Sequence, residues 1–331
     1  MIIDARAYAR AGLLGNPSDG YFGKTISLIV KNFGAQVLLY ETPKLHIEPQ
    51  ESDSNTFSNI HHLRETISLT GYNGGIPIIK AAIKKFLDHC DQEDQKISNR
   101  NFTIQYHSSI PRQVGLAGSS AIVIATMRAL MKFYEVQIEP QKLASLALKA
   151  ESEEMGITAG LQDRVIQSYE GCVFMDFEKE NLTKTGFGKY ETIDVSLLPK
   201  LFIAYKTDLS KVSGKVLNDI KTRFEKGDAL VIDTLGRIAE IALEGKTAIQ
   251  NGDFPTLNRL INENFDNRCK IMKISESNME LVNTARSTGA SAKFTGSGGS
   301  IIGMYQDDEM LNKLQIALKK INARVVKPYY N

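Results

Sequence analysis

One junction constrains this chain more than any other. The loop Gly115-Leu116-Ala117-Gly118-Ser119-Ser120 runs without a break into Ala121 to Phe133, a stretch apolar almost all round. A helix that is apolar on every side belongs inside a domain rather than on its surface. Glycines ahead of it let the backbone turn sharply and approach a ligand, having no Cβ to clash. The start of a helix gathers unpaired N–H groups and the positive end of the dipole, a ready place for phosphate. Ser119 and Ser120 add hydroxyls suited to a phosphate oxygen or a magnesium ion. No Gly-Lys-[Ser/Thr] closes the loop from Pro111 to Ala121, so it is not a Walker A motif. A glycine-rich helix cap with no ligand is the other reading.

Composition narrows the class. With 331 residues, 42% hydrophobic and 24% charged, the chain has core enough for one large or two ordinary domains. A net charge of +2 does not point to a nucleic-acid binder. Cys90, Cys172 and Cys269 lie far apart, an odd set without metal-ligand spacing, which suits a reducing compartment. No apolar stretch has the length of a signal-peptide core or a membrane span, so the expectation is a cytoplasmic protein with no membrane partner. The five histidines make no zinc pattern, and His61-His62 reads as solvated in a polar loop from Gln50. No feature reads out the oligomeric state.

The first forty residues read as strands. Ala5, Ala7 and Ala9 alternate with Arg6, Tyr8 and Arg10, and Ala35 to Tyr40 is a short apolar run. Between them Leu13 to Gly23 is dense in turn residues. Spacing predicts helices over Ile76 to Asp88 and from Pro140 to the acids Glu151, Glu153 and Glu154, and a strand over Phe102 to Tyr106. After a soft boundary near residue 195 come strand Leu201 to Tyr205, three or four helices to Thr288, a strand, a Gly-rich turn, a strand, a helix and a last strand at Ala323 to Val326.

Two further segments carry chemistry. Glu151 and Asp163 flank the glycine-bounded turn Gly156 to Gly160, so the chain can fold two carboxylates towards one point. Phosphoryl transfer uses such a pair, one acid on Mg²⁺ and one on the attacking hydroxyl. Equally, Glu151 can be a solvated acid and Asp163 a helix N-cap. Lys293-Phe294-Thr295-Gly296-Ser297-Gly298-Gly299 is either a plain hairpin turn or a backbone brought close to a ligand.

Taken in order with Arg10-Ala11-Gly12-Leu13-Leu14-Gly15-Asn16-Pro17-Ser18-Asp19, these segments resemble the motifs of the kinase superfamily of galactokinase, homoserine kinase, mevalonate kinase and phosphomevalonate kinase. Within it, Arg6 to Gly23 and Ile110 to Ile122 are most similar to the glucuronokinases. Where galactokinases carry Gly-Glu-His, this chain has Gly15-Asn16-Pro17, which argues against a galactose pocket. The resemblance implies an α+β, two-lobed fold: a ribosomal protein S5 domain 2-like, ATP-binding lobe over residues 1–195 and a ferredoxin-like lobe over 196–331, with ATP and acceptor meeting in the cleft.

The same resemblance implies roles. Asp163 becomes the catalytic base or hydroxyl-orienting carboxylate, with Arg10 beside it. Gly115, Leu116, Gly118, Ser119, Ser120, Gly296 and Ser297 serve ATP and its phosphates, while Ser120 and Glu151 hold Mg²⁺. Asp19 and Tyr21 serve the sugar. For a uronic acid's carboxylate the first basic candidate is Arg164, followed by Lys24 and Arg112. The implied activity is ATP-dependent phosphorylation of D-glucuronate at its anomeric hydroxyl. Its rivals are a kinase of the same class acting on galacturonate, a neutral sugar or another alcohol, and a silent nucleotide- and sugar-binding sensor.

Overall fold

The computed structural model describes residues 2–50, 53, 74–207 and 215–330. The pair His61-His62 lies outside them. The chain forms two compact units. The first comprises Met1–Ala9, Asn32–Ile110 and Ala117–Tyr169; the second comprises Arg10–Lys31, Pro111–Leu116 and Glu170–Asn331. Strands β1 (Ile2–Leu14) and β2 (Lys24–Glu41) each run from one unit into the other and pair together.

In the first unit, β3 (His46–Ile47) runs parallel to β4 (Phe102–Ser108), which pairs antiparallel with β2 from Ala35 opposite Ser108 to Glu41 opposite Phe102. Ala5, Ala7 and Ala9 are buried on alternate positions, as the pattern predicts. Helices α1 (Gly75–Gln92), α3 (Pro140–Ser152) and α4 (Gln162–Tyr169) all contact α2 (Gly118–Tyr134). That enclosure is what an all-apolar helix requires, and Ala121, Val123, Ile124, Ala125 and Met127 are wholly buried. The helix opens three residues earlier than its apolar pattern. Ala117 adopts left-handed backbone (φ 62°, ψ 47°), and the Ala121 N–H donates back to its carbonyl at 3.2 Å. Gly118, Ser119 and Ser120 therefore sit in the first turn.

In the second unit, β5 (Cys172–Asp176) pairs antiparallel with residues 24–28 and with β6 (Lys189–Ile193), and α5 (Lys179–Thr185) lies between β5 and β6 in sequence. A second, fully antiparallel sheet follows, from β7 (Leu201–Lys206), β8 (Lys293–Phe294), β9 (Ser300–Met304) and β10 (Ala323–Val326). Its spatial order is β10-β7-β9-β8. Helices α6 (Lys215–Glu225), α7 (Ala229–Gln250), α8 (Phe254–Ile271) and α9 (Glu276–Arg286) separate β7 from β8, and α10 (Asp308–Lys319) precedes β10. Strand, helices, two strands, helix, strand, ordered fourth-first-third-second, is the ferredoxin-like plait. Its core joins Phe202 and Ile301 of the sheet to Phe265, Leu281 and Leu314 of the helices. Among the described residues no helix is long and apolar enough to cross a membrane.

Candidate active site

The first unit assembles its polar cluster at the start of α2. The Ser119 hydroxyl donates to Glu151 Oε1 at 2.6 Å, while the Ser120 hydroxyl turns back to the Ala117 carbonyl at 3.2 Å. Glu151 stands in the last turn of α3 and is wholly buried, so it is not a solvated acid. The solvated ones are Glu153 and Glu154, whose carboxylates meet Lys85 at 2.7 and 2.9 Å. From the first turn of α4, Arg164 Nε donates to Glu151 Oε2 at 2.8 Å, and Nη2 reaches the same oxygen. Nη1 donates to the Gly160 carbonyl at 2.9 Å and lies 3.5 Å from Asp163 Oδ2. Asp163 falls inside α4 rather than at its cap position, with its side chain one-fifth exposed. One guanidinium thus stands between the two carboxylates expected on either side of the turn. Gln167 fixes the loop end by donating to the carbonyls of Tyr8 and Ala117, both at 2.9 Å.

This cluster can accept a divalent cation in one way. Among the described residues no group of three or more acidic, histidine or cysteine side chains forms a cage. A single buried carboxylate beside a hydroxyl and unpaired first-turn amides suits magnesium that takes most of its ligands from phosphate and water.

In the second unit three sequence segments converge. Arg10 Nη1 donates to the carbonyls of Gly115 (2.7 Å) and Thr295 (3.0 Å), and the Arg10 N–H donates to the Leu116 carbonyl at 3.2 Å. Gly115 has φ +71°, and a Cβ there would meet the Gly298 carbonyl oxygen at 2.8 Å. A Cβ on Gly296 would stand 2.6 Å from the Gly115 carbonyl oxygen and 2.7 Å from Arg10 Nη1. Both glycines are needed for the 111–116 segment and the turn bearing Ser297 to lie against each other. The turn is therefore not a bare hairpin.

Asp19 and Tyr21 belong to a short 3₁₀ turn, Ser18–Tyr21, and both are half-buried. Tyr21 packs on Phe224 with ring centroids 5.0 Å apart. Burial, with Asp19 and Glu225 adding to it, pushes the Tyr21 phenol up to about 12. Asn264 of α8 anchors the preceding loop: its carbonyl oxygen accepts from the Gly15 N–H at 2.7 Å, and its amide donates to the Asn16 carbonyl at 3.2 Å. Lys24 pairs with Asp176 at 3.2 Å, and Arg112 is exposed.

Two buried cations were not singled out by sequence reasoning. Lys293 Nζ donates to the carbonyls of Gly12 and Phe294, both at 2.8 Å, and to Asn16 Oδ1. Its pKa is well below the ordinary lysine value through burial and the charges of Arg268 and Arg10. Arg268 of α8 is 1% exposed. Burial lowers its guanidinium to about 10, with Cys269 and Asp19 acting against that shift and Arg10 with it. Sequence did hold a signal for Arg268, namely a charged residue on the inward stripe of α8, Leu257, Ile261, Asn264 and Ile271.

The chain is similar to known proteins over most of its length. A family model for the GHMP kinases N terminal domain matches residues 77–171, and one for the GHMP kinases C terminal matches 246–322. Glucuronokinase 1 of Arabidopsis thaliana is 43% identical over 306 residues, covering 91% of this chain and 84% of its own. Probable glucuronokinase 2 of the same plant is 42% identical over 308 residues, with the same coverage of both chains. Among solved structures, Lactococcus lactis galactokinase complexed with galactose superposes with a TM-score of 0.78 at 13% identity, over 99% of this chain and 93% of its own. The mevalonate kinase of Methanococcus jannaschii gives 0.70 at 21% identity, over 99% and 98%. The chain belongs to the GHMP kinases.

Proposed function

We propose that this chain transfers the γ-phosphate of ATP to the anomeric hydroxyl of D-glucuronate, giving D-glucuronate 1-phosphate and ADP. The observation that carries the reading is the 43% identity to glucuronokinase 1 across 91% of the chain. The bond formed joins the anomeric oxygen to Pγ, and the bond broken is Pγ to the β,γ-bridging oxygen. The hydroxyl proton passes to Asp163, whose partly exposed carboxylate is the one of the pair able to meet a substrate. Gly115, Leu116 and Gly118 bring backbone close to the phosphates, with Ser119, Ser120 and the first-turn amides donating to them. Gly296 and Ser297 also serve the nucleotide. Arg10 offsets negative charge on the moving phosphoryl group.

When bound, Mg²⁺ would neutralise charge on the nucleotide phosphates, and Glu151 with the Ser120 hydroxyl would hold it. Arg164 orders Glu151 and Asp163, which sets its guanidinium apart from the substrate-carboxylate role that the sequence suggests. Asp19 accepts from sugar hydroxyls, with Tyr21 alongside. The reading assigns the ATP-binding domain to 1–195 and the C-terminal domain to 196–331, and the two family matches fall either side of that boundary. Three free cysteines suit the cytoplasm.

The test is ADP release from ATP and Mg²⁺ against glucuronate, galacturonate, glucose, galactose, arabinose and mevalonate. Glucuronate is expected to be the best acceptor, with phosphorus NMR placing the phosphate on the anomeric carbon. Turnover on a different member, with glucuronate inert, refutes the acceptor.

A further inference from the structure

Arg268 is a buried charge hydrogen-bonded, among the described residues, to neutral partners. Nε donates to the Met272 sulfur at 3.0 Å and Nη1 to the Gly296 carbonyl at 2.7 Å, while the guanidinium lies 5.2 Å from the Phe294 ring centroid. Among the described residues no carboxylate bonds to it and Nη2 has no partner. Its surroundings compensate only in part, through the negative charge of Asp19 nearby. Lys293, equally buried, spends its ammonium on carbonyl and amide oxygens, and the charges of Arg268, Lys293 and Arg10 act on one another. Taking a guanidinium out of water without a paired anion costs several kcal/mol. A ligand that brings an anion offsets that cost, and a planar two-oxygen anion fits the guanidinium fork best.

Position says which anion. Asn264, one helical turn before Arg268 on the same face of α8, holds Gly15 and Asn16, the loop that leads into the Asp19 turn. Asp19 lies within electrostatic reach of Arg268. An acid and a guanidinium within electrostatic reach of each other match a ligand with hydroxyl donors at one end and a carboxylate at the other. A phosphate chain offers acceptors only and would be repelled by Asp19. We infer that Arg268 binds the carboxylate of the uronate acceptor and is the residue that selects an acidic sugar over a neutral one. The inference rests on the glucuronate reading above.

A double-mutant cycle between protein and substrate tests it. Wild-type protein and Arg268→Gln are assayed with glucuronate and with glucuronamide, which replaces the charged carboxylate by a neutral amide of the same shape. A charge-assisted pair predicts that Arg268→Gln lowers kcat/KM for glucuronate about 10- to 100-fold more than for glucuronamide. ATP affinity, measured alongside, is expected to hold. Arg268→Lys keeps the charge without the fork, so it repeats the cycle should the Gln variant fail to fold, with a smaller discrimination expected. Equal losses on the two sugars in a folded variant overturn the assignment, as does a loss confined to ATP affinity, which would give the guanidinium to the phosphates. A wild-type protein that uses glucuronamide or glucose as well as glucuronate removes the acid-selective reading itself, and Arg268's role with it.

Discussion

Removing Arg164 tests whether the Glu151 cluster is a balanced buried ion pair. Glu151 is wholly buried and the Arg164 side chain is 4% exposed. In Arg164→Met the carboxylate keeps only the Ser119 hydroxyl among the bonds described here, and Asp163 loses its neighbour at 3.5 Å. Methionine is unbranched and fills most of the vacated volume, so the change is chiefly electrostatic. Breaking a buried pair by deleting one partner costs about 3–5 kcal/mol, because the charge left behind is unsolvated. For 331 residues the entropy of unfolding is about 0.7 kcal/mol/K, so the melting temperature falls by about 4–7 °C. The drop is larger if the first unit melts by itself, since fewer residues share the loss. Glu151→Gln strands the guanidinium instead and costs a similar amount. The double variant removes both charges and recovers most of the loss, while activity stays absent in every variant that lacks Glu151. Thermal melts of the four proteins, with ADP release on each, check this. An Arg164→Met protein melting within about 1 °C of wild type, or a double variant showing the simple sum of the single losses, refutes the pair as a coupled unit.

Three further outcomes follow from the same geometry. Asp163→Asn abolishes turnover while nucleotide affinity, measured by calorimetry, stays near wild type; normal turnover removes Asp163 from the chemistry. Gly115→Ala places a Cβ 2.8 Å from the Gly298 carbonyl at φ +71°, so it costs about 1–2 kcal/mol from the left-handed backbone alone, plus the shift of that carbonyl. It weakens ATP binding, and an unaltered melt with unaltered ATP affinity contradicts the close approach. Burial pushes the Cys172 thiol up to about 12 and raises the Cys90 thiol. Only Cys269, partly exposed, reacts measurably with a thiol reagent at pH 8 in the native protein, whereas all three react after denaturation. Prompt native labelling of Cys172 would refute that burial.

The fold was legible where burial leaves a periodic trace. Alternating alanines marked β1, an all-apolar run marked α2, and β7 to β10 followed from apolar runs separated by helices and a Gly-rich turn. Other elements carry no such trace. Strand β6 buries only Ile193, because an edge strand with most side chains in solvent need not alternate. The apolar pattern begins three residues after α2 does, because the residue that ends the loop is Ala117, and alanine in left-handed backbone has no composition signature. That offset of three residues matters for the site. The phase of the first turn decides that Ser119 rather than Ser120 meets Glu151.

Polar burial is the harder thing to read. Glu151, Glu153 and Glu154 look alike in sequence, yet one is enclosed by Ser119 and Arg164 and the others pair with lysines at the surface. Arg164 and Arg268 invert the ordinary expectation in opposite ways. Arg164 adjoins the candidate catalytic acid, which draws attention to it as a substrate ligand, but its guanidinium is already matched by Glu151. Arg268 stands among core positions of an amphipathic helix, where a charge is costly and a satisfied one would need an acid on the facing element. The facing loop at Gly296 supplies only a carbonyl. A guanidinium kept in that stripe with Nη2 unused among the described residues is what the proposed substrate carboxylate would meet, about 100 positions from Asp163, the proposed base.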